Sequence, residues 1–158
     1  MTNELWVVVS SVITALRGKN FTIATAEQCT CGLIGASLVS KGDDVYKGTV
    51  TTYSNGSLTK LLGVPSYVIE KNGITSSQVA QEMAMDVLYK FCTNIGIGVI
   101  GHIDDDIIDV QICVAKMYKG SMSFEYQKLV KSGGSKGENI ETVIKQTLML
   151  TLMHINMV

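Results

Sequence analysis

Proline is almost missing from this sequence: Pro65 is the only one in 158 residues. No proline-rich linker, internal repeat or low-complexity block divides the chain, so residues 1–158 read as a single domain. No apolar run is long enough to cross a bilayer. Met1 to Trp6 contains Glu4 but no basic segment, so it does not read as a secretory signal. The expected location is the cytoplasm, with no membrane partner. Charge is also sparse, at 17% of residues and a formal net charge of −1. The 13 basic residues form no dense cluster, and a surface that tracks nucleic-acid phosphates needs one. Nucleic acid is therefore not an expected partner. Histidine is limited to His102 and His154. With four cysteines, Cys29, Cys31, Cys92 and Cys113, there is no metal-ligand spacing, so neither a metal site nor a cofactor is expected. Cys29 and Cys31 are too close for an easy disulfide, and Cys92 and Cys113 sit in apolar patterns that predict reduced, buried thiols.

What is present is apolar content, at 46% of residues, enough for a full core in a chain of this length. Helical periodicity predicts a first helix over Glu4–Arg17, with Leu5, Val8, Val9, Ile13 and Leu16 on one face. Strands are predicted at Phe21–Ala26, Tyr46–Tyr53 and Ile95–Ile100, the last a buried, glycine-interrupted apolar run. Further helices are expected at Thr30–Ser40, Ser57–Leu62 and from Pro65 to about Lys71. Thr75 with Gln78 fits a capping box ahead of a helix carrying Val79, Met83, Val87, Leu88 and Phe91. Ile108–Met117 and Ser121–Val130 flank a hairpin turn at Tyr118-Lys119-Gly120. Ser132–Gly137 reads as a loop, and Glu138 to about Met153 as a final helix. This order predicts an α/β fold, a three-layer α/β/α sandwich with a mixed, mostly parallel sheet.

The stretch Thr22–Gly32 carries the most information. A strand runs into a tight turn and then a helix, which aims backbone N–H groups at one point and suits an anion or oxyanion. Here Ala24-Thr25-Ala26-Glu27-Gln28-Cys29-Thr30-Cys31-Gly32 resembles ATAESCTGG of the CinA C-terminal domain family, which includes nicotinamide mononucleotide deamidases. Tyr53-Ser54-Asn55, followed by Leu62-Gly63-Val64, is similar to a second family segment. Asn72-Gly73-Ile74-Thr75-Ser76, followed by Glu82-Met83-Ala84, is similar to a third. The resemblance runs over nearly the whole chain. It implies the family's fold and a substrate-binding set of Glu27, Thr30, Gly32, Tyr53, Ser54, Asn55 and Gly101.

The departures fall on the reactive positions. The resemblance implies a nucleophilic serine where this chain has Gln28, and an activating lysine where it has Leu58. A glutamine has no nucleophilic oxygen and a leucine cannot accept a proton. Lys60, two residues on, lies roughly 200° around a helix from Leu58. The family's glycine-rich pocket loop becomes Ile100–Asp106, expected to be a shorter, solvated loop whose Asp104, Asp105 and Asp106 would repel a nucleotide phosphate. The substitute nucleophiles are Cys29 and Cys31, with His102 as base.

Three readings follow. The first is a non-catalytic relative that keeps a nucleotide (nicotinamide mononucleotide-like) or partner site. The second is an amidohydrolase with a relocated nucleophile. The third is a self-associating scaffold, since the resemblance implies a homo-oligomer. The family's longer members carry a further N-terminal domain, and the expectation here is the stand-alone type.

Overall fold

The computed structural model describes residues 1–157. Six helices and five strands follow one another as α1 (Asn3–Lys19), β1 (Ile23–Glu27), α2 (Leu33–Lys41), β2 (Tyr46–Thr51), α3 (Asn55–Leu62), α4 (Ser66–Asn72), α5 (Ser77–Phe91), β3 (Ile95–Asp104), β4 (Ile107–Tyr118), β5 (Ser121–Ser132) and α6 (Lys136–Asn156). The strands form one sheet in the order β2-β1-β3-β4-β5. β1 pairs in parallel with both β2 and β3, whereas β3–β4 and β4–β5 are antiparallel. Four strands therefore point one way and β4 opposes them.

Two apolar clusters hold the layers together. On one face α1, α2 and α6 bury residues such as Leu5, Leu16, Ile34 and Leu148 against Ile23, Ile97 and Val110 of the strands. On the other face α3, α4 and α5 bury Leu58, Leu62, Val68 and Met83 against Ala24, Ala26 and Ala115. The glycine pattern of β3 follows from this second face. A side chain at Gly96 or Gly98 would run into the Ala84 and Ala80 carbonyls of α5, so small residues let the helix lie directly on the strand.

The helix ends explain where the sequence-based boundaries shift. Ser76, not Thr75, caps α5 by accepting the Val79 N–H, so the expected Thr75–Gln78 box does not form. The capping box of this fold sits instead on α6, where Ser135 and Glu138 satisfy each other's backbone N–H. That box starts the last helix at Lys136, inside the segment expected to be a loop. The β4–β5 turn is the two residues Lys119-Gly120, both at positive φ (52° and 75°), as a twisted two-residue hairpin requires. Cys113 is buried as expected, but Cys92 is exposed, because it is the left-handed C-cap of α5 (φ 54°).

The Ile100–Asp106 segment is also corrected. It is not a loop over most of its length: β3 continues to Asp104 and pairs with β4 as far as Asp104–Ile107. Only Asp105 and Asp106 turn the chain, with Asp106 at φ 63°. The continuous apolar run of β3 ends at Ile100 and gives way to an alternation of exposed His102, buried Ile103 and exposed Asp104, which hid the extension.

Candidate functional site

The connection β1–α2–β2 runs to one side of β1, and the return to β3 runs to the other. The C-terminal ends of β1 and β3 therefore form the point where the strand order reverses, and α2 and α5 lie on opposite faces of the sheet. Ligands of open α/β sheets sit in the crevice such a reversal leaves. A cavity of about 220 Å³ opens there, with Gln28, Cys31, Tyr53, His102, Asp104 and Lys136 on its walls.

Glu27, the last residue of β1, is wholly buried. Its Oε1 accepts from the Thr30 hydroxyl (2.6 Å) and the Ile34 N–H (3.0 Å). Its Oε2 accepts from the Gly35 N–H (2.9 Å), the Thr25 hydroxyl (2.8 Å) and the Thr49 hydroxyl (3.3 Å). A carboxylate with this many donors at a helix N-terminus fixes α2 to the sheet. Glu27 thus holds the turn in shape and is not on the cavity wall, whereas Thr30 both bonds to it and lines the cavity.

Gln28 follows directly. Its backbone N–H donates to the Val99 carbonyl (3.1 Å), prolonging the β1–β3 pairing by one residue. Its side-chain Oε1 accepts the Gly101 N–H at 3.0 Å. Gly101 has to be glycine, since a Cβ there would collide with the Asp109 carbonyl of β4. The Cys31 thiol donates to the Gln28 carbonyl (3.4 Å) from an exposed position with φ 50°, a conformation that favours the glycine of the family pattern.

The remaining expected residues divide. Tyr53 reaches the cavity, with its ring three-quarters exposed. Ser54 caps α3, accepting the Ser57 N–H, and Asn55 is the first residue of that helix. Asn55 borders a different hollow, shared with Lys60, so Lys60 does not share the Gln28 cavity. Leu58 is wholly buried in the second apolar cluster. Cys29 lies on the cavity wall, but burial pushes its thiol up to about 12, which keeps it protonated near neutrality. His102 is exposed and lines the same cavity as Cys31.

The three adjacent aspartates do not converge. Asp104 Oδ1 accepts the Asp105 N–H, the Asp105 carboxylate accepts the Lys136 N–H at the start of α6, and Asp106 bonds through its backbone to Gly133 and Gly134. Among the described residues no group of three His, Cys, Asp or Glu side chains is placed to hold a metal ion. Lys136 is the charged cavity residue the sequence reading missed, along with the apolar Leu33, Ile103 and Ile140. The Ser135–Glu138 box, visible in the sequence, would have placed Lys136 on the first turn of α6.

These features define a three-layer α/β domain whose pocket is built at the switch point of the sheet, around a buried carboxylate and a strand–turn–helix connection. The chain belongs to the CinA C-terminal domain family, whose pattern it matches over residues 7–154. It is 41% identical over 92 residues to a CinA-like protein of Dictyoglomus thermophilum, and 38% identical over 89 residues to one of Flavobacterium psychrophilum. Those matches cover 57% and 55% of this chain but 22% and 21% of the relatives, so the chain spans about a fifth of their length. The fold is similar to the crystal structure of a competence/damage-inducible protein from Agrobacterium tumefaciens, with a TM-score of 0.85, 21% identity, and coverage of 99% of this chain and 98% of that one. A competence or damage-inducible protein from Enterobacter asburiae is similar at a TM-score of 0.81 and 18% identity, covering 98% and 100% of the two chains.

Proposed function

We propose that this chain keeps the family's pocket as a binding site and does not carry out deamidation. One observation carries the reading. At the position where the resemblance implies a nucleophilic serine, Gln28 bonds its carboxamide oxygen to Gly101, while the position of the implied lysine, Leu58, is sealed in the core. A carboxamide side chain cannot form an acyl-enzyme. Losing either half of a coupled nucleophile–base pair removes most of its catalysis. Incubating the protein with nicotinamide mononucleotide and assaying ammonia tests this. The expected result is no release above the buffer blank, and multiple turnovers would contradict it.

A second reading has one observation in its favour: Cys31 and His102 line the same cavity. An amidase that relied on that pair would release ammonia in the same assay and lose the activity in both Cys31→Ser and His102→Ala.

A further inference from the structure

The orientation of one side-chain amide reverses what the pocket asks of a ligand. The Gly101 N–H is a donor, so the end of Gln28 that meets it must be the oxygen, and the flip of the amide is fixed by chemistry. Two consequences follow. The Gly101 donor is already satisfied, so it is closed to the carbonyl oxygen of an incoming amide. The other end of Gln28 is Nε2, which carries two N–H donors and has no hydrogen-bond partner among the described residues, on a residue that lines the cavity. Lys136 lines the same cavity, and its ammonium forms no ion pair among the described residues. A pocket offering only donors from these two side chains matches a group made only of acceptors.

We propose that the cavity binds a small single-ring carboxylate and discriminates against the corresponding carboxamide. The carboxylate accepts from Gln28 Nε2 and pairs with Lys136. The ring lies among Leu33, Tyr53, Ile103 and Ile140, which supply apolar lining. The size agrees, since an apolar cavity of about 150 Å³ already admits benzene, and this one measures about 220 Å³. Asp104 is the opposing charge on the wall. It is exposed, so solvent screens its repulsion, and removing it strengthens binding.

The inference rests on the reading of a pocket without a nucleophile, and its test is chosen to fail separately. Benzoate and benzamide have nearly the same shape and differ in the group presented to Gln28. Titration calorimetry at pH 7 is expected to show saturable benzoate binding and benzamide weaker by at least about tenfold, the size of a lost hydrogen bond to a charged group. Gln28→Glu keeps an oxygen for Gly101 and replaces both donors by a second carboxylate oxygen, so it abolishes benzoate binding without depending on a truncated side chain. Lys136→Met weakens benzoate severalfold, and Asp104→Asn strengthens it. The proposal is overturned by benzamide binding as tightly as benzoate, by no saturation with millimolar benzoate, or by unchanged benzoate affinity in Gln28→Glu. Ammonia released from benzamide in a parallel sample would instead overturn the underlying reading.

Discussion

At the scale of single residues, Glu27 shows how a feature of the family pattern serves the fold. Five donors converge on its carboxylate, and three of them belong to threonine side chains. Replacing it by alanine strands buried N–H and hydroxyl groups, each costly when left unpaired. We expect Glu27→Ala to lose about 3–5 kcal/mol of stability in urea titrations; a loss below 1 kcal/mol would show that α2 is held elsewhere. Cys31 is the opposite case. It occupies a left-handed conformation that a glycine adopts freely, so Cys31→Gly is expected to leave stability unchanged or raise it by up to about 1 kcal/mol. The spacing of Glu27, Gln28 and Cys31 was legible in the sequence, as was the glutamine at the position where the resemblance implies a nucleophile. The hydrogen bond from Gly101 was not, because its two ends are 73 residues apart and meet only where β1 and β3 pair.

At the scale of elements, boundaries depend on caps and turns that compete locally. The helix over Ser77–Phe91 was readable from its apolar stripe, yet its first residue was decided by which of two adjacent hydroxyls, Thr75 or Ser76, took the cap. The α1 stripe was likewise nearly right, with Val12 buried in the core and Val8 only partly so. The β4–β5 turn offers a clean test. Lys119 sits at φ 52°, where asparagine is more at ease, so Lys119→Asn is expected to stabilise the fold by about 0.5–1 kcal/mol, read as a shift of the urea midpoint.

The C-terminal end of α6 carries a pH-dependent element. Lys116, buried on β4, donates to the carbonyls of His154 and Met157, closing the helix end, while the His154 ring bonds to the Ser123 carbonyl. Burial holds His154 below its ordinary range; Lys116 nearby adds to this, and the Ser123 bond and Glu125 oppose it. The fold therefore prefers the neutral ring. Its contribution is complete above the unfolded-state pKa of about 6.5 and is lost as pH falls toward the lowered folded value. Urea midpoints measured between pH 7.5 and pH 5 are expected to fall with acidity, and less steeply in His154→Gln. Equal slopes in the two proteins would contradict the assignment.

At the scale of the whole molecule, the order of helices and strands was legible because each half of the sheet leaves its own pattern. The parallel strands β1 and β2 are short segments set between helices, and the late strand β5 alternates. The layers were legible for the same reason. The extent of β3 was not, since its continuous apolar run stops at Ile100 and the residues beyond it take their structure from pairing with β4. No described helix is long and apolar enough to cross a membrane. The packing of the whole molecule also sets what placing a serine and a lysine at the positions of Gln28 and Leu58 would cost. Leu58 is part of the packing between α3 and the sheet, and Leu58→Ala is expected to cost about 2–5 kcal/mol. A lysine at that position would have to be buried, so Gln28→Ser with Leu58→Lys is expected to unfold at lower urea than the parent.

The central claim is that this family member holds a pocket without the family's reaction. Its most direct test is a single-turnover experiment, with the protein in excess over nicotinamide mononucleotide and ammonia quantified after long incubation. That arrangement registers even one catalytic event followed by a trapped acyl-enzyme. The account predicts no ammonia beyond the blank and no mass added to the protein. Ammonia approaching one equivalent, or a covalent adduct on any residue of the Gln28–Cys31 turn, would contradict it.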